Sequence, residues 1–154
     1  TESGPLVPAL KSTWLLIHVS SAIISYGAFT INFALSIIYL LRIKGRLKNL
    51  PSANRIDEFS YKVVLFAFPI WTFAVISGAI WAESAWGRYW GWDPKETWAF
   101  ITWIIYAAYL HSRVTIGWKG TKSAWVSIAG YVAIIFNFFV INIWVTGLHS
   151  YAGV

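Results

Sequence analysis

The chain contains no cysteine. That excludes disulfides, thiolate metal sites and a thiol nucleophile of its own. Charge is scarce as well: only 12% of the 154 residues are Asp, Glu, Lys or Arg, and six are acidic. A soluble globular domain carries about twice that share. Against these shortages stand 58% hydrophobic residues and 19% aromatics, with eleven tryptophans. This balance belongs to the membrane class. No signal-peptide pattern opens the chain. Its start at Thr1 rather than Met reads as a fragment, or the ordered portion, of a longer membrane protein.

Four apolar runs approach or exceed the ~20 residues needed to cross a hydrocarbon core of roughly 30 Å. They lie at about 14–41, 63–82, 97–114 and 124–148. A lipid-exposed backbone must satisfy its own hydrogen bonds, so each run reads as a helix. The expected fold is an all-α integral membrane protein in one domain, 1–154. Its four transmembrane helices carry an external Trp-rich loop, 83–96, with a short interfacial helix. Gly27, Gly78, Gly130, Ser21 and Ser36 are small enough to permit close helix contact. The loops sort the charge. Arg42, Lys44, Arg46, Lys48, Arg55 and Lys62 lie between the first two runs, and Arg113, Lys119 and Lys122 between the last two, while only Lys11, Arg88 and Lys95 fall on the other side. By the positive-inside rule the first and third loops are cytoplasmic or stromal. Both termini and the Trp-rich loop then face outward. The net charge of +6 is topology, not a nucleic-acid patch.

The three histidines sit near membrane boundaries. His18 lies one turn into the first run and His149 directly after the fourth, both at the outer end. His111 lies about 20 Å along the third run at 1.5 Å per residue, inside the bilayer towards the inner face. An interfacial histidine is often only an anchor, whereas an ionisable residue within the membrane is a functional hypothesis by default. Two neutral imidazoles are also a suitable axial pair for a haem iron. With an aromatic surface between them, His18 and His149 form a candidate bis-histidine site.

That aromatic surface is "WGRYWGWDPKETW", which packs four tryptophans, a tyrosine and four charged residues into positions 86–98. On a helix at 100° per residue, Trp86, Tyr89, Trp90 and Trp92 would share one arc, with Gly87, Arg88 and Gly91 on the other. Such a face suits a flat macrocycle, and Arg88 suits a propionate. It equally suits a membrane-interface belt. Asp93, Pro94 and Glu96 read as N-cap, N1 and N3 of the third helix.

The stretch "WGRYWGWDPKETWAFITW" closely resembles the tryptophan-rich WWD signature of haem-handling membrane proteins. Its "DPKETWA" resembles the CcsA (ResC) family of System II cytochrome c biogenesis more than the CcmC and CcmF families of System I. "WLLIHVSSAIISYGAF", "GLHSYAG" and "YLHSR" are similar to that family's first external, second external and transmembrane histidine segments. The resemblance implies that His18 and His149 are axial ligands of an external haem b. It implies that Trp86, Trp90, Trp92 and Asp93, with neighbours such as Arg88 and Tyr89, form the haem platform. It implies that His111 is one ligand of a haem site within the membrane, its partner histidine coming from a CcsB (ResB) subunit. Family members are longer, so the chain would be their C-terminal core.

The expected function is haem export and presentation to the Cys-x-x-Cys-His motif of an apocytochrome c, as part of a cytochrome c synthase (haem lyase) in a bacterial plasma membrane or thylakoid membrane. The thiols belong to the substrate, so the enzyme needs none. Two other readings stand beside it: a haem-delivery chaperone without ligase activity, like CcmC, and a membrane electron-transfer subunit holding haem b.

Overall fold

The computed structural model describes residues 13–141. All regular elements there are helical: α1, Thr13–Ile43; α2, Ala53–Trp86; α3, Pro94–Thr115; and α4, Thr121–Ile135, whose last turns loosen into a π-helical segment, Phe136–Ile141. Three helices are long and apolar enough to cross a membrane: α1, α2 and the segment Thr121–Phe139. Helix α3 has 22 residues, about 33 Å at the α-helical rise, and is more polar.

Helix α2 exceeds the apolar run at 63–82 at both ends because its stops are local rather than hydropathic. The Ser52 hydroxyl accepts from Arg55 N at 3.4 Å, and Gly87, at φ 77°, closes the other end with its N–H on Glu83 O. The left-handed backbone at Gly87 suits a residue without Cβ.

Helices α1 and α2 pack through a stripe of small and polar residues. Ser21, Ser25, Ala28, Asn32 and Ser36 are buried on α1; Ser60, Val64, Ala67, Ala74 and Ser77 are buried on α2. Both sets recur at helical spacing, one face of each helix. Meanwhile Leu16, Ile23, Ile31, Phe66, Phe73 and Ile76 point outward. Large apolar residues outside and small ones inside is the arrangement of helices in lipid, where close packing replaces the hydrophobic drive. Gly27, expected at a contact, faces outward and has no neighbour near its Cβ position; Ser25 and Ala28 occupy the contact instead. Gly130 meets the expectation, since a Cβ there would come within 2.7 Å of the Tyr106 ring. That ring stacks on Phe29 at 3.9 Å and centres the core.

One ion pair ties three elements at the opposite end from the Trp-rich loop. Arg113 Nη1 and Nη2 donate to Asp57 Oδ1 and Oδ2 at 2.9 and 3.0 Å, and Gly120 N donates to Oδ1 at 3.1 Å. The guanidinium also lies 4.4 Å from the Tyr61 ring centre. The pair draws the start of α2, the end of α3 and the α3–α4 turn together, so the two basic loops meet at one end. Asp57→Ala leaves Arg113 buried without its partner, a loss of about 3–5 kcal/mol. Thermal unfolding in detergent should show that loss. The double change Asp57→Leu with Arg113→Met should recover most of it.

Candidate functional site

At the Trp-rich end, α1 and α2 frame a half-open cleft. His18, Ala22 and Tyr26 supply one wall at i, i+4 and i+8; Trp71, Ala74 and Gly78 supply the facing wall at i, i+3 and i+7. Trp90 of the loop, Lys95 of α3 and Asn137, just past the end of α4, complete the lining. Its volume is ≈ 110 Å³, space for a few water-sized groups and far too little for a porphyrin.

His18 is held in one orientation. Its Nδ1 lies 2.7 Å from the Ala74 carbonyl oxygen. A carbonyl only accepts, so Nδ1 carries a proton, and in the neutral ring Nε2 is then the lone-pair nitrogen. Donation of one ring N–H to a backbone carbonyl is the usual support of a metal-ligating histidine. Gly78 makes this approach possible: a Cβ there would stand 2.7 Å from both Nδ1 and Cε1. The Trp81 ring lies parallel to the imidazole, 9° between planes and 6.3 Å between centres, and itself meets Trp86 edge-on at 4.9 Å.

The aromatic loop differs from its expected form. Residues 87–93 are not helical, so Trp86, Tyr89, Trp90 and Trp92 do not share one helical arc. Gly87 ends α2 in the left-handed region, Trp92 stands at φ 58°, and Pro94 begins the next helix. Three such constraints in eight residues leave no room for a regular turn. Trp86 therefore belongs to α2 and packs with Trp81. Trp90 lines the cleft. Trp92, 60% exposed, meets Trp90 at 90° and Phe100 at 75°, and Tyr89 is 59% exposed. The rings form an open, facetted surface rather than one plane.

The acidic turn has the expected cap. Asp93 Oδ1 accepts from Glu96 N at 2.9 Å; Glu96 Oε1 accepts from Asp93 N at 3.2 Å and from Gly91 N at 2.8 Å. Arg88, a candidate propionate partner, folds its guanidinium over the Cα of Gly91, with Nη1 3.6 Å from Glu96 Oε1. Glu96 thus pins both the loop and α3.

His111 is exposed on α3, two residues from the Arg113 latch. It lies about 25 Å along the helix from Pro94, at the far end from His18. His149 lies outside the described residues. The structure therefore places His18 in one cleft with Tyr89 and Trp90, with Trp81 stacked on it and Trp86 against Trp81, and keeps His111 at the other end of α3. Residues 71, 74, 78 and 81 were not read as a site in the sequence. Their signal is a small-residue pair flanked by tryptophans on one face of α2, opposite the histidine face of α1.

Gly78→Ala is favourable for an isolated helix, yet here it displaces the imidazole. With ¹⁵N-labelled histidine, NMR should show Nδ1 protonated in the parent protein and a changed tautomer balance in the variant, at unchanged helix content.

Residues 1–149 match the family described as Cytochrome C assembly protein. Over 97% of its length the chain is 44% identical to the cytochrome c biogenesis protein CcsA of Chlamydomonas reinhardtii. It is 42% identical to the CcsA proteins of Guillardia theta and Prochlorococcus marinus, again over 97% of the chain. The matches cover 44%, 58% and 57% of those proteins, so the chain spans about half the length of the curated relatives it matches.

Proposed function

The chain belongs to the cytochrome c assembly protein family, and from that premise we propose that this integral membrane protein binds haem b as a substrate and presents it to apocytochrome c, within a CcsA-type synthase. The single observation that carries the reading is the seat of His18. Its Nδ1 is held on the Ala74 carbonyl, so that in the neutral ring Nε2 is the ligating nitrogen, the arrangement that supports an iron ligand. The donor chemistry around it fits haem: one imidazole, indole faces, a buried donor N–H at Trp71 and an ammonium at Lys95. His149 is the proposed second axial ligand.

In this reading α3 crosses the membrane as well and completes the four spans of the proposed topology, with the Trp-rich loop and both termini external. The small cleft admits a side arm of the macrocycle and not its body, so the body lies outside it, against the open facets of Trp90, Trp92 and Tyr89. Glu96, through its cap and its contact with Arg88, fixes where that surface stands. Haem supplies the two vinyl groups; each substrate thiol adds S–H across one C=C, forming a C–S bond with no leaving group. The chain contributes position and exclusion of water rather than a proton-transfer group. Exposed on the opposite end of α3, His111 is the proposed ligand of a membrane-embedded haem site completed by a CcsB-like subunit. A resident haem b for electron transfer would call for facing histidines within the bundle, and His18 and His111 stand at opposite ends.

In the full-length protein with its partner subunit, His18→Gly and His149→Gly should each lower external haem content and cytochrome c maturation, and added imidazole should restore both. Normal haem content and maturation in these variants would remove the ligand assignment. His111→Ala should lower haem loading from the inner side while leaving the His18 tautomer as it is; unaltered loading would remove the membrane site.

A further inference from the structure

The cleft behind His18 contains two buried polar atoms with no hydrogen-bond partner: Trp71 Nε1 and Asn137 Oδ1, each on a residue only 4% exposed. Unpartnered polar atoms at such depth are costly and call for a ligand or water. An indole N–H only donates, so Trp71 asks for an acceptor. The other charged groups narrow the class of that acceptor. Glu96 already accepts from two backbone N–H groups and faces Arg88. Asn137 Nδ2 is turned to the Lys95 carbonyl at 3.4 Å, leaving its oxygen towards the same region. Lys95 also lines the cleft, with its ammonium 5.7 Å from the Phe138 ring centre.

Haem b has its vinyl groups on one edge and its two propionates on the opposite edge. A protein that turns the vinyl edge outward towards a thiol substrate must turn the propionate edge inward. On the proposed site, inward is this cleft, whose volume fits a carboxylate arm and excludes the ring. We propose that the cleft is a carboxylate subsite for a haem propionate, with Trp71 Nε1 as donor, Lys95 as the cation of its lining and Asn137 accepting from a bridging water. The assignment rests on His18 being an iron ligand. It makes the cleft the element that sets which edge of the macrocycle faces outward.

The test compares binding of haem and of haem dimethyl ester to the full-length protein in detergent, for the parent and for Trp71→Phe, Lys95→Gln and His18→Gly. Trp71→Phe keeps a ring against Tyr26 and Phe29 and removes only the donor; Lys95→Gln, on α3, serves if the core variant folds poorly. The parent should favour the free acid by about tenfold or more, as for hydrogen bonds to a charged group. Each of the two variants should lose most of that preference. A preference that persists in both variants, or none in the parent, would overturn the subsite. Haem affinity unchanged in His18→Gly would instead overturn the haem-site reading beneath it. Added acetate or a fatty acid distinguishes the source of the carboxylate: competition that lowers the affinity for free haem to that for the diester, and spares the diester, supports the subsite, and equal competition against both contradicts it.

Discussion

The close approach of α1 to α2 is the constraint on which the rest depends. In lipid no hydrophobic gain pulls two helices together, so contact relies on packing of small residues and on hydrogen bonds between helices. Ser21, Ser25, Ala28 and Asn32 let α1 lie against Ala67, Ala74 and Ser77 of α2, and Asn32 Nδ2 donates to Ser60 Oγ at 2.6 Å. With the backbones this close, a side chain on α1 can reach a backbone carbonyl on α2. The hydrogen bond from His18 to Ala74 is the outermost instance. Enlarging any residue in the stripe would separate the helices and withdraw the histidine from its seat.

The two ends of the bundle then serve different purposes with different chemistry. At the basic end, Asp57 and Arg113 form a bidentate pair that Gly120 N completes, and α3 and α4 are registered against α2. At the aromatic end the same α3 starts from the Asp93–Glu96 capping box, whose Glu96 also holds the Gly91 amide. One helix is therefore pinned at both termini, with Tyr106 packed against Phe29 and Gly130 between them. The rings of Trp90 and Trp92 inherit their position from that rigid helix rather than from any regular structure of the loop.

Much of this was legible in the residues. Hydropathy located the helices because their long apolar runs outweigh the few polar residues of the contact stripe, and the Asp-Pro-Lys-Glu run announced its cap because capping is local. Helix ends at Ser52 and Gly87 were not found by hydropathy, which sees only the apolar part of α2. The loop was misread as a helix because periodicity alone cannot register a left-handed Gly87, Trp92 at φ 58° and Pro94 acting together. His18 was singled out as a rare residue at a boundary. Ala74 and Trp71 were not, and Gly78 was read only as a packing residue, since a small residue on a transmembrane helix usually marks packing; the distance to the imidazole shows that this face also holds the histidine. Asp57, too, was hidden inside a basic segment whose charge read as topology.

Haem presentation in this account begins with one oriented imidazole and one buried donor on facing helices. Their separate roles are to fix the iron and to fix which edge of the macrocycle faces inward. The most direct measurement is an experimental structure of the full-length protein with haem bound. The account predicts His18 Nε2 on the iron, Nδ1 still on the Ala74 carbonyl, and the propionate edge turned towards Trp71 and Lys95. Iron held elsewhere with His18 unmoved in its seat, or the propionate edge facing outward, would contradict it.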